Sequence, residues 1–170
     1  MLPDFAWTVH IQSSLRNTKE DVEFTINTGI FTDTLFGTFY DWERPKFPLE
    51  VYSVLRLRVS ALKNMPDAWY RLTPTTDIEK LKRQLQNDIE NVILPHFAQF
   101  QTIEDVIKEM ERREEQGEYE CPHFLTILYQ AHGDQDAAQK RMKKIYSECK
   151  LDSQKEFTRE LAQRLRLDVE

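Results

Sequence analysis

The chain has 170 residues, enough for one hydrophobic core with a small appended unit and too few for two domains of average size. Hydrophobic residues make up 40% and charged residues 31%, with only 4 Gly, a globular composition that excludes a largely disordered or fibrous chain. The net charge of −6 argues against nucleic-acid binding. No apolar run approaches the roughly 20 residues that span a bilayer, which argues against membrane insertion.

The first part of the chain alternates apolar and polar residues, which is the pattern of strands covered on one side. Trp7, Val9 and Ile11 alternate with polar residues, and the same period returns over residues 22–26 after a polar turn. The sequence therefore predicts an antiparallel hairpin. Gly29 is expected either to end the second strand or to form a bulge in it.

Residues 32–50 contain a glycine, two prolines and several aromatic residues without either period, and they predict a long loop. Residues 51–62 then alternate again and predict a third strand. A fourth strand is predicted over residues 67–72, "DAWYRL".

Beyond the predicted strands, apolar residues recur at helical intervals. A long amphipathic helix is predicted to start at Thr76, which has the spacing of a capping box with Glu79, and to end at Pro95. The next helix follows the cap Thr102 and ends near Gly117. Three shorter helices are predicted over residues 122–132, 135–149 and 153–166.

These elements predict an α+β fold, with an antiparallel sheet of about four strands covered on one face by the helices between residues 76 and 116. We expect an α+β domain over residues 1–116 and a C-terminal helical extension over residues 117–170, packed together as a single globular unit. The side chains expected to be buried are Trp7, Val9, Ile11, Phe24, Ile26, Leu55, Leu57, Leu81, Leu85, Ile89 and Val106.

Five segments occur in the order "HIQSS", "FTINTGIF", "LRLRVSAL", "DAWYRL" and "ILPHF". In this order the chain resembles a bacterial family described as domain of unknown function 4304, over roughly residues 7–110. The resemblance implies an α+β domain and brings no catalytic residue with it. Such proteins usually begin with a helix and a further strand before "HIQSS", so either this chain is naturally short or its start lies downstream of the real one. A short chain leaves one sheet edge uncovered, which predicts a homodimer or cover by residues 32–50.

The outward residues of the predicted strands form the candidate binding surface. If the strands pair as a meander, the side away from the helices carries His10, Gln12, Asn27, Arg56, Arg58, Trp69 and Arg71. Guanidinium groups match carboxylates and phosphates, so this face predicts an acidic partner or an anion. The alternative is the plain solvated side of an antiparallel sheet.

Arg56 and Arg58 lie one pleat apart, at the centre of this candidate surface. Two guanidinium groups at that spacing can hold one carboxylate or phosphate from the same side. Alternatively they hold internal acids such as Glu23 or Asp41, in which case both arginines are structural.

Other kinds of site have little support in the sequence. Cys121, His123, His132 and Cys149 lack the paired spacing of a zinc site, so no metal is expected. Two cysteines are too few for a disulfide framework and no leader segment is recognisable, which favours the cytoplasm. No phosphate-binding, dinucleotide or hydrolase motif is present, so neither a cofactor nor a catalytic residue is predicted.

Two functional hypotheses remain. The first is a non-catalytic module that binds another protein or a peptide through the polar sheet face, of which an immunity role is one form. The second is a hydrolase or transferase acting on a small anionic substrate at the same face, with His10 as a base.

Overall fold

The computed structural model describes residues 5–43, 45–118 and 121–169. The strands are β1 (Phe5–Ser13), β2 (Val22–Thr32), β3 (Val54–Arg58) and β4 (Tyr70–Leu72). The α-helices are α1 (Asp33–Tyr40), α2 (Val59–Leu62), α3 (Ile78–Asp88), α4 (Leu94–Phe97), α5 (Ile103–Glu115), α6 (Pro122–Ala131), α7 (Gln135–Glu148) and α8 (Asp152–Leu165). A π-helical turn, Ile89–Ile93, joins α3 to α4. The predicted α+β class is confirmed.

The chain divides into two compact units whose boundaries differ from the division expected at residue 116. Residues 6–31 and 48–101 form the first, here named the sheet unit. The second, named the helical unit, contains residues 32–47 and the chain from residue 102 onward, so α5 groups with the C-terminal helices. That the whole chain forms one globular unit stays a prediction.

The sheet has β2 at its centre. β1 pairs with one side of β2, and both β3 and β4 pair with its other side, antiparallel and one after the other along the strand. The prediction of a meander is wrong, because the 11 residues of β2 are long enough to pair with both short strands. The predicted hairpin and the antiparallel sheet of four strands are confirmed.

The pairing of β2 with β3 is interrupted at Gly29. Thr28 lies opposite Leu57 and Ile30 opposite Val54, so the glycine between them faces two residues of β3. One of those two is a fully buried leucine with a left-handed φ of 52°. Neither expectation for Gly29 holds as stated, because β2 continues to Thr32 and the extra residue of the bulge lies on β3, opposite the glycine.

The core of the sheet unit lies between β2 and the helical segment from α3 to α4. Its fully buried members come from the sheet, from α2 and from the end of that segment. They are Ile26, Val59, Tyr70, Ile93 and Phe97. Of the side chains predicted to be buried, Ile26, Leu55 and Val106 are buried. Phe24, Leu57, Leu81 and Leu85 are half-buried.

The predicted burial of three β1 residues is wrong. Trp7, Val9 and Ile11 are 45%, 54% and 63% exposed. They lie on the expected side of the sheet, because the ring of Trp7 stacks on Phe97 of α4 with centroids 5.2 Å apart. However, β1 is the outermost strand, and the helices cover the strands beside it more completely than β1 itself.

Ile89 was also predicted to be buried and is 42% exposed. The inward position on this turn is taken by Asp88, which is 1% exposed and lies seven residues after Leu81 on the same helix face. The helix also continues past Pro95 to Phe97, contrary to prediction, and the π-helical turn ends two residues before the proline.

The predicted loop over residues 32–50 contains α1. The Oγ1 of Thr32 accepts a hydrogen bond from the backbone N–H of Leu35 at 3.0 Å and caps the helix. Leu35 and Phe36 are buried, and α1 packs against α6 and α8. Tertiary packing therefore stabilises this helix, although Gly37 and the irregular spacing of the aromatic residues give the segment no helical pattern in the sequence.

Several predicted boundaries shift and others are confirmed. The third strand ends at Arg58, where α2 begins, rather than at residue 62. The cap of α3 is Asp77, whose carboxylate accepts from the N–H of Lys80, and not Thr76. Thr102 caps α5 as predicted, and α6, α7 and α8 match the three predicted helices to within one residue at each end.

Candidate functional site

The side of the sheet opposite α3 and α4 carries the polar residues of the strands. Asn27 of β2 lies opposite Arg58 of β3, and its side-chain N–H donates to the Oε1 of Gln12 on β1 at 2.9 Å. Strand alternation places the remaining predicted residues on the same side. We name this surface the polar face and define it by His10, Gln12, Asn27, Arg56, Arg58, Trp69 and Arg71.

Arg58 organises the centre of the polar face. Its guanidinium donates to the carboxylate of Asp67 at 2.5 Å and to the Oε1 of Gln12 at 3.3 Å, and its Nε lies 3.5 Å from the Oδ1 of Asn27. The indole of Trp69 lies under the guanidinium, 5.1 Å from ring centroid to Cζ, and donates to Asp67 at 3.3 Å. The hydrogen bond from Arg58, supported by that from Trp69, holds the pKa of Asp67 below its usual range.

Arg56 is far less engaged than Arg58. Its side chain is 51% exposed, and its Nη1 lies 3.8 Å from the carboxylate of Glu50. It lines a shallow cleft of about 440 Å³ together with Arg58, Asp67 and the exposed Met65. Two arginines and two acids border this cleft, so the charges of its rim balance.

The structure brings some predicted site residues together and separates others. One connected cluster, here named the Arg58 network, consists of Gln12, Asn27, Arg58, Asp67 and Trp69. Arg56 lies beside this network in the cleft.

Arg71 and His10 lie outside that cluster. Arg71 donates two hydrogen bonds to Asp21, at 2.7 and 2.5 Å, and the pKa of Asp21 is lowered by this pairing. His10 is exposed on β1, and among the described residues no hydrogen bond joins it to the Arg58 network.

The acids that meet the two central arginines are not those suggested by the sequence. Glu50 and Asp67 contact them, whereas Glu23 and Asp41 were the expected candidates. Glu23 instead lies opposite Arg71 in the pairing of β2 with β4. Arg58 is therefore paired with an acid of the same unit, whereas the side chain of Arg56 is mostly exposed.

The helical unit contains a larger cavity that was not predicted from the sequence. Its volume is about 780 Å³, within the range of small-molecule sites. Aromatic and aliphatic side chains form much of the wall, including Phe39, Leu125 and Phe157. Both cysteines, Cys121 and Cys149, also line it.

A short chain of polar contacts crosses the wall of this cavity. The Sγ of Cys121 lies 3.6 Å from the Nδ1 of His123, and the Nε2 of His123 lies 3.1 Å from the Oγ1 of Thr158. Thr158 donates to the carbonyl of Gln154 at 2.8 Å, so it accepts from His123. Burial lowers the pKa of His123, which keeps the imidazole neutral with its Nδ1 lone pair toward the thiol of Cys121.

Comparison with protein-family models matches residues 2–99 to the family described as Domain of unknown function (DUF4304). The match covers more than half of the chain. The chain belongs to this family. The resemblance predicted from the sequence is confirmed, and no curated protein and no solved structure matches the chain.

In this DUF4304 protein the two candidate sites differ in their relation to the family domain. The polar face, which runs from residue 10 to residue 71, lies wholly inside the matched range. Of the residues that line the cavity, Phe39 alone lies inside that range. The polar face is therefore a candidate site within the DUF4304 domain, whereas the C-terminal helices build most of the cavity.

Among the residues that the structure describes, no group of three or more His, Cys, Asp or Glu side chains is placed to hold a metal ion. Within the same ranges, no helix combines the length and the apolar character needed to cross a bilayer. The prediction about the start of the chain, that it is either naturally short or begins downstream of the real start, concerns residues 1–4, which lie outside the described residues.

We expect Thr158→Val to destabilise the helical unit by about 1–3 kcal/mol, because the buried Nε2–H of His123 loses its acceptor. The matched control is Thr126→Val. Thr126 is also fully buried, but its Oγ1 has no hydrogen-bond partner among the described residues, so removing it should be neutral or slightly stabilising. Chemical denaturation of both variants checks this, and equal midpoints would contradict the polar chain.

Proposed function

We propose that this DUF4304 protein is a non-catalytic protein-interaction module that binds a partner protein through the polar face. The observation that carries the proposal is the Arg58 network, which holds an arginine and a tryptophan in fixed positions on an open surface. Arginine and tryptophan are enriched at the energetic centres of protein interfaces. Side chains already held by hydrogen bonds lose little further entropy when a partner binds.

The charges of the cleft favour a protein over a small anion. Arg58 already donates to Asp67, and Glu50 lies near Arg56, so the rim has no net excess of positive charge. A protein surface can present donors and acceptors to both signs at once, and such complementarity gives specificity. An immunity role, in which the partner is a toxin, is one form of this function.

The alternative is a hydrolase or transferase that acts on a small anionic substrate at the same face. The exposed guanidinium of Arg56 is the observation that favours it. It predicts turnover in a screen of phosphoesters and acyl esters, lost on His10→Ala. Turnover of this kind, without a stoichiometric protein partner, would replace the first proposal.

Quantitative affinity capture tests the interaction function. The full chain is used as bait in an extract of its native cells, beside the variants Arg56→Glu and Arg71→Glu. We expect a stoichiometric partner on the wild type that is reduced at least tenfold on Arg56→Glu, because a rim guanidinium is replaced by a carboxylate at the cleft.

Arg71→Glu is the matched control for that experiment. Arg71 is also an exposed arginine on the polar face, but it pairs with Asp21 outside the Arg58 network. It should therefore retain the partner. A partner that Arg56→Glu retains as well as the wild type does would overturn the proposed site.

A further inference from the structure

The outer edge of β1 lacks the features that usually keep sheet edges from pairing. β1 has nine residues, "FAWTVHIQS", with no proline and no Asp, Glu, Lys or Arg. Edge strands are ordinarily protected by charged residues, prolines, bulges or short length. In the part of the chain that the structure describes, no strand pairs with the outer side of β1.

The side chains beside this edge are apolar and ordered. Trp7, Val9 and Ile11 follow one another on the helix side of β1 and remain about half exposed. The ring of Trp7 lies parallel to that of Phe97, with an angle of 1° between their planes. A partner would therefore meet a tryptophan that is already held in place, on a strip about three residues long.

We propose that β1 pairs antiparallel with β1 of a second copy of this chain, across a two-fold axis that passes beside Val9. In this register Trp7 of each copy lies opposite Ile11 of the other, and the two Val9 residues face each other. Aromatic and β-branched side chains form favourable cross-strand pairs. The two sheets then join into one sheet of eight strands.

The second copy is the partner that the composition of the strand fits. A two-fold axis places each strand opposite itself, so any charge near its centre would face a like charge or lie close to one. β1 carries no Asp, Glu, Lys or Arg at any of its nine positions, and its apolar strip is symmetric about Val9. A closed two-fold pairing also uses up both edges, which stops the association at a dimer.

The proposed dimer should be weak and should respond to salt. The strip is shorter than the patch that a tight dimer buries, which places the dissociation constant in the micromolar range or above. Each copy carries a net charge of −6. Because salt screens that repulsion, raising the ionic strength should strengthen the dimer.

This pairing is independent of the interaction function proposed for the polar face. It uses the backbone edge of β1 and the helix-side residues Trp7, Val9 and Ile11. The Arg58 network lies on the opposite side of the sheet, and Gln12 is its one member on β1. Loss of dimerisation therefore leaves the polar-face proposal untouched, and loss of the Arg56-dependent partner leaves the dimer untouched.

Analytical ultracentrifugation over a concentration series tests the proposal on the full chain. We expect the wild type to shift from one to two chains per particle as its concentration rises through the micromolar range. Val9→Lys should weaken the association at least tenfold, because two ammonium groups then meet at the axis. Val51→Lys is the matched control, since Val51 is also about half exposed in the sheet unit but lies off β1.

A mixture of Val9→Lys and Val9→Glu gives the sharper result. Opposite charges at the axis should restore a heterodimer, whereas each variant alone stays monomeric. Melting temperatures close to the wild type at dilute concentration show that the variants are folded. A wild type that stays monomeric at every concentration and salt level, a dimer unaffected by Val9→Lys, or a β1 that pairs with another protein instead would each overturn the proposal.

Discussion

Replacing Gly29 by alanine is expected to lower the free energy of unfolding by about 1–3 kcal/mol, the usual cost of forcing an extra carbon into a packed site. A Cβ at this position would lie 2.7 Å from the Cβ of Ser53 and 3.1 Å from the Oγ1 of Thr8. These two residues are buried and hydrogen-bonded to each other at 3.0 Å. Making room therefore disturbs a buried polar pair as well as the bulge.

Gly37→Ala is the control for this prediction. Gly37 lies inside α1, and the nearest atom to an added Cβ is the Trp42 carbonyl oxygen at 4.0 Å. Alanine is favoured over glycine in a helix by about 1 kcal/mol, so this variant should be more stable than the wild type. Urea denaturation of both variants measures the difference. A Gly29→Ala protein as stable as the wild type would show that the site opposite the bulge has room to spare.

Replacing Lys63 by methionine should have an effect of comparable or larger size, roughly 3 kcal/mol of lost stability. Asp88 is 1% exposed, and its carboxylate accepts from the Nζ of Lys63 at 2.9 Å and from the hydroxyl of Tyr70 at 2.7 Å. Without Lys63 the buried carboxylate keeps only the neutral donor. Burial, together with the nearby carboxylate, raises the pKa of Tyr70, so that hydroxyl remains a donor.

A second substitution separates the loss of charge pairing from the loss of packing. Asp88→Asn removes the buried charge and keeps the shape, so the double variant Lys63→Met with Asp88→Asn should be more stable than Lys63→Met alone. Thermal or urea denaturation of the three variants completes the comparison. If Asp88→Asn brings no recovery, the lost stability comes from packing of the lysine stem and the ion pair is not its source.

Much of the sheet could be predicted because alternation is a local signal. The period of two in β2 places Ile26 inward and Asn27 outward, and the same period in β3 places Arg58 on the side of Asn27. The Arg58 network follows from that geometry, and its residues were identified from the sequence. Its acid, Asp67, was not, because the pairing depends on how the turn after α2 folds back.

Other features depend on contacts between distant residues, which no local pattern contains. The alternation of β1 is the same whether a helix covers Val9 or not, so the sequence could not reveal that the helices leave the inward side of this strand half exposed. Periodicity also assigned Ile89 to the core, because it does not register that Asp88 can be buried when Lys63 and Tyr70 satisfy it. The prediction of burial rested on hydrophobicity alone. It was wrong at positions where hydrogen-bond partners or the place of the strand in the sheet determine which side chain is buried.

The cavity of the helical unit illustrates the same limit. Cys121, His123 and Thr158 are separated by up to 37 positions, and they meet because α6 and α8 are held together around α1. The spacing of Cys121 and His123 carried no information about Thr158. The aromatic residues between positions 32 and 50 were the available signal that this segment packs in a core, since exposed loops rarely contain so many.

The central claim is that Arg58 organises the polar face while Arg56 contacts the partner. The most direct test is the affinity of the captured partner for Arg56→Ala, with the melting temperatures of Arg56→Ala and Arg58→Ala measured beside it. The account predicts that Arg58→Ala melts several degrees lower than the wild type, and that Arg56→Ala melts like the wild type but binds the partner at least tenfold more weakly. Undiminished binding by a normally folded Arg56→Ala would contradict it.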